Sequence, residues 1–191
     1  TRKESSAASD VYKRQQLNGG VSLNRRSGGA AGLAVTIAQR ASGHVSLLPS
    51  PAILERVETK QAIEADRTVA AVLVEAAEAQ AFLFTAGPCD ASSAHVENGY
   101  LSASDVEELA RRGAVGDVLG RYIDADGNIV DPQLDARTVG VDLGRLRAAK
   151  RSIFVTAGDA KHDIARTVVT SGLCSVLVTD ETTARALLEE R

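Results

Sequence analysis

The chain has 191 residues, of which 44% are hydrophobic and 25% charged, which is typical of one α/β domain of ordinary size. Its 22 Lys and Arg against 25 Asp and Glu give a net charge of −3, which argues against a nucleic-acid-binding surface as its main role. No apolar run approaches the roughly 20 residues of a membrane span, and the start lacks the features of a signal peptide, so we expect a cytoplasmic protein without membrane contact. The two cysteines, Cys89 and Cys174, lie in no metal-ligand spacing and are expected to be reduced thiols.

Residues 1–15 differ in character from the rest of the chain. They are polar and charged, with only Val11 and Tyr12 as large apolar side chains, and residues 5–15 resemble translated adaptor sequence. We therefore predict a non-native or disordered leader over residues 1–15 and one folded domain over residues 16–191.

Short apolar runs that end near glycine alternate with helical patterns from residue 17 onward. The predicted strands are His44–Leu48, Ala81–Ala86, Ala114–Ile123, Thr138–Val141, Ser152–Ala157 and Cys174–Thr179. This βαβ alternation predicts an α/β fold, with a Rossmann-like, mostly parallel sheet and helices on both faces.

Helices are predicted between the strands from apolar positions at helical spacing. Their expected ranges are Gly28–Ala41, Asp66–Ala79, Asp105–Arg112, Asp159–Thr170 and Glu181–Glu190. Ser104 and Glu107 have the spacing of a capping box before the third of these helices, and Gly113 is expected to end it.

Three glycine turns follow predicted strands: Gly19-Gly20, Gly87 and Gly158. The carboxyl ends of parallel strands meet at one edge of a sheet, where glycine allows backbone N–H groups to approach an anion. The turns therefore predict one shared ligand crevice. The alternative is that each glycine only makes its turn tight.

Lys161 follows the Gly158 turn at the start of a predicted helix. Its ammonium group and the free N–H groups of the helix would together favour a phosphate or a carboxylate. The alternative is a solvated lysine on the first turn of a helix.

Asp117 lies within a glycine-rich apolar stretch, Gly113–Gly120. A carboxylate is rare in such a setting unless it is paired or used, so Asp117 is expected to be satisfied by sugar hydroxyls or by Lys161. The alternative is an aspartate at a strand end that accepts a hydrogen bond from a neighbouring backbone amide.

Other chemistry has little support. Asp124–Asn128 lacks the glycine position of a calcium-binding loop and predicts a hairpin turn. The three histidines His44, His95 and His162 are too scattered to predict a metal site. The chain also lacks a nucleophile elbow, a phosphate-binding P-loop and a dinucleotide-binding glycine motif, so we predict no catalytic residue, metal or cofactor.

Several motifs together resemble the effector-binding domain of SorC-type, DeoR-like sugar-responsive transcriptional regulators. They are Gln16–Gly20, Gly99–Ser102, Gly113–Tyr122, Val139–Val141 and Val178–Ala184. The resemblance covers the chain from about Gln16 to its end.

This resemblance implies a fold related to sugar-phosphate isomerases and a phosphorylated sugar bound at the strand ends. It implies that Asn18, Gly19 and Gly20 lie on one wall of the site and Gly87 at a central turn. It also implies that Asp117 accepts ligand hydroxyls and that Lys161 meets the phosphate beside Gly158.

The intact regulator is expected to be a dimer or tetramer that binds DNA through an N-terminal helix-turn-helix domain. That domain and the opening part of the effector domain are absent from this sequence, so the domain is expected to be incomplete at its N-terminus.

The leading hypothesis is therefore a non-enzymatic sensor domain. The rival is a sugar-phosphate isomerase or deaminase on the same fold, which would need Asp117 or His162 as a positioned base. A third hypothesis is an interaction domain that binds no ligand.

Overall fold

The computed structural model describes residues 13–20 and 29–189. The strands are β1 Lys13–Gln15, β2 His44–Ser46, β3 Phe82–Phe84, β4 Ala86–Pro88, β5 Gly116–Val118, β6 Arg121–Ile123, β7 Ser152–Val155 and β8 Val176–Val178. The helices are α1 Gly29–Arg40, α2 Val57–Ala65, α3 Arg67–Ala77, α4 Ala94–Glu97, α5 Ala103–Arg111, α6 Pro132–Asp135, α7 Leu143–Ala148, α8 His162–Thr170 and α9 Glu181–Leu188. A 3-10 turn, Asp159–Lys161, leads directly into α8.

The described strands form three small sheets instead of the single sheet expected from the sequence. Strand β1 pairs with β2, and β7 pairs with both β3 and β8; all of these pairs are parallel. The third sheet is the antiparallel meander β4-β5-β6. The prediction of an α/β protein with mostly parallel strands is thus confirmed.

The stretch predicted as one strand over Ala114–Ile123 is a hairpin in the structure. Strands β5 and β6 pair in antiparallel register, and the chain reverses at Leu119 and Gly120, whose φ angles are 55° and 83°. Two successive positive φ angles are characteristic of a tight hairpin turn. The sequence prediction was wrong because every residue of both strands is buried, so neither strand shows the apolar–polar alternation that would mark its ends.

Two further strand predictions need correction. The predicted strand Ala81–Ala86 divides at Thr85, so β3 enters the parallel sheet and β4 enters the meander. The stretch Thr138–Val141 forms only isolated bridges, one from Thr138 to Ile53 and one from Gly140 to Asn18.

The capping box of α5 was assigned to the wrong serine. The side chain of Ser102, not Ser104, accepts a hydrogen bond from the backbone N–H of Asp105. The Asp105 carboxylate in turn accepts one from the backbone N–H of Ser102, at 2.8 Å. Glu107 plays no part in this box, and the helix begins two residues earlier than predicted.

The predicted turn at Asp124–Asn128 is present. Oδ1 of Asp124 accepts hydrogen bonds from the backbone N–H groups of Asp126 and Asn128, both at 2.9 Å. A bridge between Ile123 and Ile129 closes the turn. The carboxylate therefore stabilises its own loop.

The main core lies where α8 packs against the sheets. The rings of Phe84 and Phe154 stack at a centroid distance of 5.3 Å, and Ile164 and Val168 of α8 are fully buried in the same cluster. A β-carbon at Gly116 would lie 2.7 Å from Cβ of Ile164, so α8 lies almost on the β5 backbone. This close approach fixes the start of α8 beside the meander.

Residues 13–15 of the predicted leader form strand β1, in register with His44–Ser46. Residues 1–12 lie outside the described residues, and the domain boundary after residue 15 stays a prediction. Within the described ranges, every helix is too short or too polar to cross a membrane.

Candidate functional site

Gly87 and Asp117 are direct partners in the β4–β5 pair. A β-carbon at position 87 would collide with Oδ1 of Asp117, so the carboxylate occupies the space above the glycine. The structure thus joins two residues that the sequence analysis selected independently. Glycine at position 87 is required by the position of the carboxylate.

One oxygen of the buried Asp117 carboxylate is fixed by two donors. Oδ2 accepts a hydrogen bond from the backbone N–H of Gly120 at 2.9 Å and lies 3.2 Å from Nε2 of His95. The Gly120 contact is the backbone contact that the sequence analysis raised as the alternative for Asp117. Oδ1 accepts no hydrogen bond from the described residues, and this leaves one oxygen for another donor.

Sequence reasoning missed His95, which it treated as one of three scattered histidines. Helix α4 presents His95 to the meander: the Ser93 side chain accepts a hydrogen bond from the His95 backbone N–H, and Ser93 Oγ lies 3.2 Å from the hydroxyl of Tyr122. The His95 residue is only 9% exposed. The one signal in the sequence was the need of a buried Asp117 for a partner.

The Asp117 charge acts on the neighbouring titratable groups. Burial lowers the pKa of His95, but its hydrogen bond to Asp117 and the carboxylate charge together raise it above 6.5. Burial, with the charges of Asp117 and Asp90, raises the pKa of Cys89 to about 11. Burial and Asp117 also raise the pKa of Tyr122. Asp117 therefore favours a positive or hydrogen-donating neighbour.

The Gly158 turn leads from β7 to the 3-10 turn that ends at Lys161. Gly158 has a φ of 95°, a conformation that favours glycine, and the 3-10 turn packs against β4. This contact brings the turn that ends at Lys161 beside β4, whose Gly87 pairs with Asp117. Lys161 is partly buried, and its ammonium group forms no ion pair with any residue in the described part of the chain.

The backbone N–H of Gly158 is already engaged. It donates to Oδ2 of Asp180 at 3.1 Å, and Oδ1 of the same carboxylate caps α9 by accepting from the N–H of Thr183. These hydrogen bonds lower the pKa of Asp180. Gly158 thus allows the turn to adopt its conformation, and its backbone N–H is not available to bind an anion.

Asn18, Gly19 and Gly20 form a separate seam. The N–H of Gly19 donates to the carbonyl of Val139, and the N–H of Gly20 donates to the carbonyl of Ser50. A β-carbon at Gly19 would collide with the carbonyl of Pro51. In this structure the two glycines allow close backbone packing, and their backbone N–H groups donate hydrogen bonds to carbonyl groups of the same chain.

The predicted residues therefore fall into two groups. Gly87, Asp117 and the turn from Gly158 to Lys161 share one neighbourhood, which we call the Asp117 corner. The seam of Asn18–Gly20 pairs with the Val139–Val141 backbone through the bridge from Asn18 to Gly140.

The Asp117 corner is distinct from two clefts on the described surface. One cleft of about 560 Å³ lies between the 3-10 turn and α9, and another of about 340 Å³ lies beside α7. Neither is lined by Asp117 or Lys161. Among the described side chains, no group of three His, Cys, Asp or Glu residues is arranged to hold a metal ion.

The sequence matches a family model described as "Putative sugar-binding domain" over residues 7–189. It is 31% identical over 175 residues to the deoxyribonucleoside regulator of Bacillus subtilis, an alignment that covers 92% of this chain and 56% of that protein. The chain spans about half the length of the curated relatives it matches.

Solved structures show the same fold. A DeoR family transcriptional regulator from Listeria monocytogenes superposes with a TM-score of 0.83 at 22% identity, covering 92% of this chain and 69% of that one. The full-length sorbitol operon regulator SorC from Klebsiella pneumoniae gives a TM-score of 0.82 at 22% identity, covering 93% and 58%.

Proposed function

The chain belongs to the family of sugar-binding domains of DeoR/SorC-type transcriptional regulators, and from this premise we propose that it senses a phosphorylated sugar or a related metabolite. Binding of this effector controls DNA binding by a separate domain of the same regulator. Coupling between the two sites requires that the effector bind one state more tightly, on a scale of about 1 to 3 kcal/mol.

The observation that carries this proposal is the Asp117 corner. One carboxylate oxygen is fixed and the other lies free above Gly87, while the turn that ends at the unpaired Lys161 packs against the same strand. A sugar phosphate carries both partners that this arrangement lacks, a hydroxyl donor for Asp117 and an anion for Lys161.

A second observation supports a polar ligand at this sheet edge. Thr156 ends the run from β7 towards Gly158 and is only 4% exposed, yet its hydroxyl has no hydrogen-bond partner in the described part of the structure. Buried hydroxyl groups are nearly always satisfied in native proteins. A ligand that reaches the carboxyl end of β7 would supply the missing partner.

We propose no catalytic residue for this domain. Its curated relatives are named as transcriptional regulators, and the one buried carboxylate at the site is held by hydrogen bonds on Oδ2. The rival function, isomerisation or deamination of a sugar phosphate, predicts steady product formation that Asp117→Asn abolishes. Such turnover would overturn the sensor proposal.

The regulator context implies the remaining partners. DNA contact belongs to another domain, since this chain has a net charge of −3. We expect the intact protein to be a cytoplasmic homo-oligomer, because effector control of DNA binding commonly acts through symmetric subunits.

A thermal-shift series on the full chain tests the proposal. A ligand that binds only the folded state at 100 times its Kd stabilises by about 2.7 kcal/mol, or roughly 5 to 10 °C in Tm for a domain of this size. We expect such a rise with at least one of ribose 5-phosphate, glucose 6-phosphate, fructose 6-phosphate and sorbitol 6-phosphate, and a smaller rise with the free sugar. No rise with any of them overturns the proposal.

Two lysines at opposite ends of β7 provide matched variants. Lys161 follows its carboxyl end, whereas the exposed Lys150 precedes its amino end. Lys161→Ala should weaken binding of the phosphorylated sugar by about 10- to 100-fold, the scale of a charged hydrogen bond, and Lys150→Ala should not. If Lys161→Ala weakened the binding of phosphorylated and free sugars equally, the assignment of Lys161 as the partner of the phosphate would be overturned.

A further inference from the structure

The free oxygen of Asp117 has a defined direction only because the other oxygen is held. A carboxylate can rotate about its Cβ–Cγ bond, and this torsion is broad. In the structure two donors meet Oδ2, the rigid backbone N–H of Gly120 and the imidazole of His95. With Oδ2 fixed in this way, Oδ1 lies above Gly87.

His95 is itself held on several sides. Its ring lies 6.1 Å from the ring of Tyr100 and 6.0 Å from that of Tyr122, centroid to centroid. Its backbone N–H donates to Ser93, whose hydroxyl contacts Tyr122. An imidazole packed this way points its N–H towards Asp117 in a fixed direction, because the aromatic neighbours restrict rotation of the ring.

We propose that His95 is a positioning residue for effector recognition: it donates from Nε2 to Oδ2 of Asp117 and so presents Oδ1 to a hydroxyl group of the bound sugar. An ionised carboxylate only accepts hydrogen bonds, so this contact requires the proton on Nε2. The proposal rests on the proposed function and deepens it. It names the residue that orients the Asp117 carboxylate, which in turn selects among sugars by the arrangement of their hydroxyl groups.

Within the described ranges, few charged or titratable groups surround His95. Asp117 faces it from β5, Tyr122 from β6 and Tyr100 from the loop after α4. Cys89 and Asp90 follow β4, and the charge of Asp90 acts on Cys89 and Tyr122 in the same cluster. The carboxylate of Asp117 is the only one of these groups within hydrogen-bond distance of the imidazole among the described residues.

Two polar substitutions separate positioning from packing. In His95→Gln the side-chain amide nitrogen reaches about as far as Nε2 and keeps a donor towards Asp117, whereas the amide of His95→Asn is one carbon shorter and cannot reach it. Both variants replace the ring with a neutral amide. A packing defect would weaken the binding of sugar phosphate and inorganic phosphate together, whereas a positioning role predicts a loss for the sugar phosphate alone, and mainly in His95→Asn.

The readout is Kd for the best-binding sugar phosphate of the panel above, compared with Kd for inorganic phosphate. We expect His95→Asn to weaken sugar phosphate binding by about tenfold and to leave inorganic phosphate unchanged, while His95→Gln stays within about threefold of the original chain. His44→Gln, at the exposed histidine of β2, is the control and should change neither value.

The outcomes distinguish this inference from the proposed function. If the unaltered chain binds no sugar phosphate, the proposed function fails and the inference fails with it. If it binds one and both His95 variants match its affinity and selectivity, only the positioning role is overturned.

A measurement on the unaltered chain makes the inference testable even if the variants do not fold. Nitrogen-15 NMR of the labelled histidines reports which ring nitrogen carries the proton. We expect His95 to carry it on Nε2 both without ligand and with the sugar phosphate. A His95 ring protonated only on Nδ1 would overturn the proposal.

Discussion

Gly87 lies opposite Asp117 in the β4–β5 pair, and the aspartate carboxylate fills the volume that any side chain at position 87 would need. The two residues are 30 positions apart in the sequence and form one structural unit. A substitution at either position therefore alters the packing of the other residue.

Gly87→Ala should displace the Asp117 carboxylate. We expect a loss of about 1 to 3 kcal/mol in the free energy of unfolding, the usual scale of overpacking, together with weaker binding of the sugar phosphate. Gly32→Ala in α1 is the control, because its β-carbon would meet nothing within 4 Å and alanine favours a helix. Urea unfolding and calorimetry measure the two effects. A Gly87→Ala chain with unchanged affinity would exclude the Asp117 corner from the ligand site.

His95 should make stability depend on pH. Its pKa is raised above 6.5 in the folded state, so the charged imidazole stabilises the fold most fully below pH 6.5, and this contribution is lost as pH rises through the folded pKa. The Tm difference between the unaltered chain and His95→Gln should therefore be larger at pH 5.5 than at pH 8.5. Melting curves across this range provide the test, and a difference that grows with pH would contradict the pairing with Asp117.

Cys89 should be unreactive at neutral pH. Its pKa of about 11 lies two units above the ordinary 9.0, so the thiolate fraction at pH 8 falls about 100-fold. In a Cys174→Ser background, iodoacetamide should alkylate Cys89 on the order of 100-fold more slowly than a free thiol. Asp117→Asn should speed this reaction, because the carboxylate charge contributes to the shift. Equal rates with and without Asp117 would show that burial alone protects the thiol.

Ser102 and Ser104 offer a matched test of the cap on α5. Ser102→Ala removes the acceptor for the Asp105 N–H and should cost about 0.5 to 2 kcal/mol of stability, whereas Ser104→Ala should have a smaller effect. Chemical unfolding of both variants measures the difference. A larger loss at Ser104 would favour the box with Glu107 that the sequence pattern indicated.

Local patterns predicted the fold class and most of the elements. Helix α5 and the turn at Asp124–Asn128 follow from short-range rules, because each rests on contacts between residues a few positions apart. Helix α2, Val57–Ala65, was missed for a physical reason. It buries none of its residues and therefore shows no apolar period in the sequence.

The sequence by itself determined that Asp117 needs a partner, since a carboxylate in an apolar stretch must be paired or used. It also determined that glycine occurs at the strand ends and that the chain resembles sugar-responsive regulators. These conclusions depend on residue chemistry and on local spacing, which the sequence displays directly.

Only the tertiary structure decided which partner Asp117 takes. His95 precedes it by 22 positions on a different element, and the contact exists because α4 and the β5–β6 hairpin pack together. Tertiary packing also decided that the amides of Gly19, Gly20 and Gly158 bond within the chain. Such contacts join groups far apart in sequence, and their geometry is set by the packing of whole elements, which no local pattern specifies.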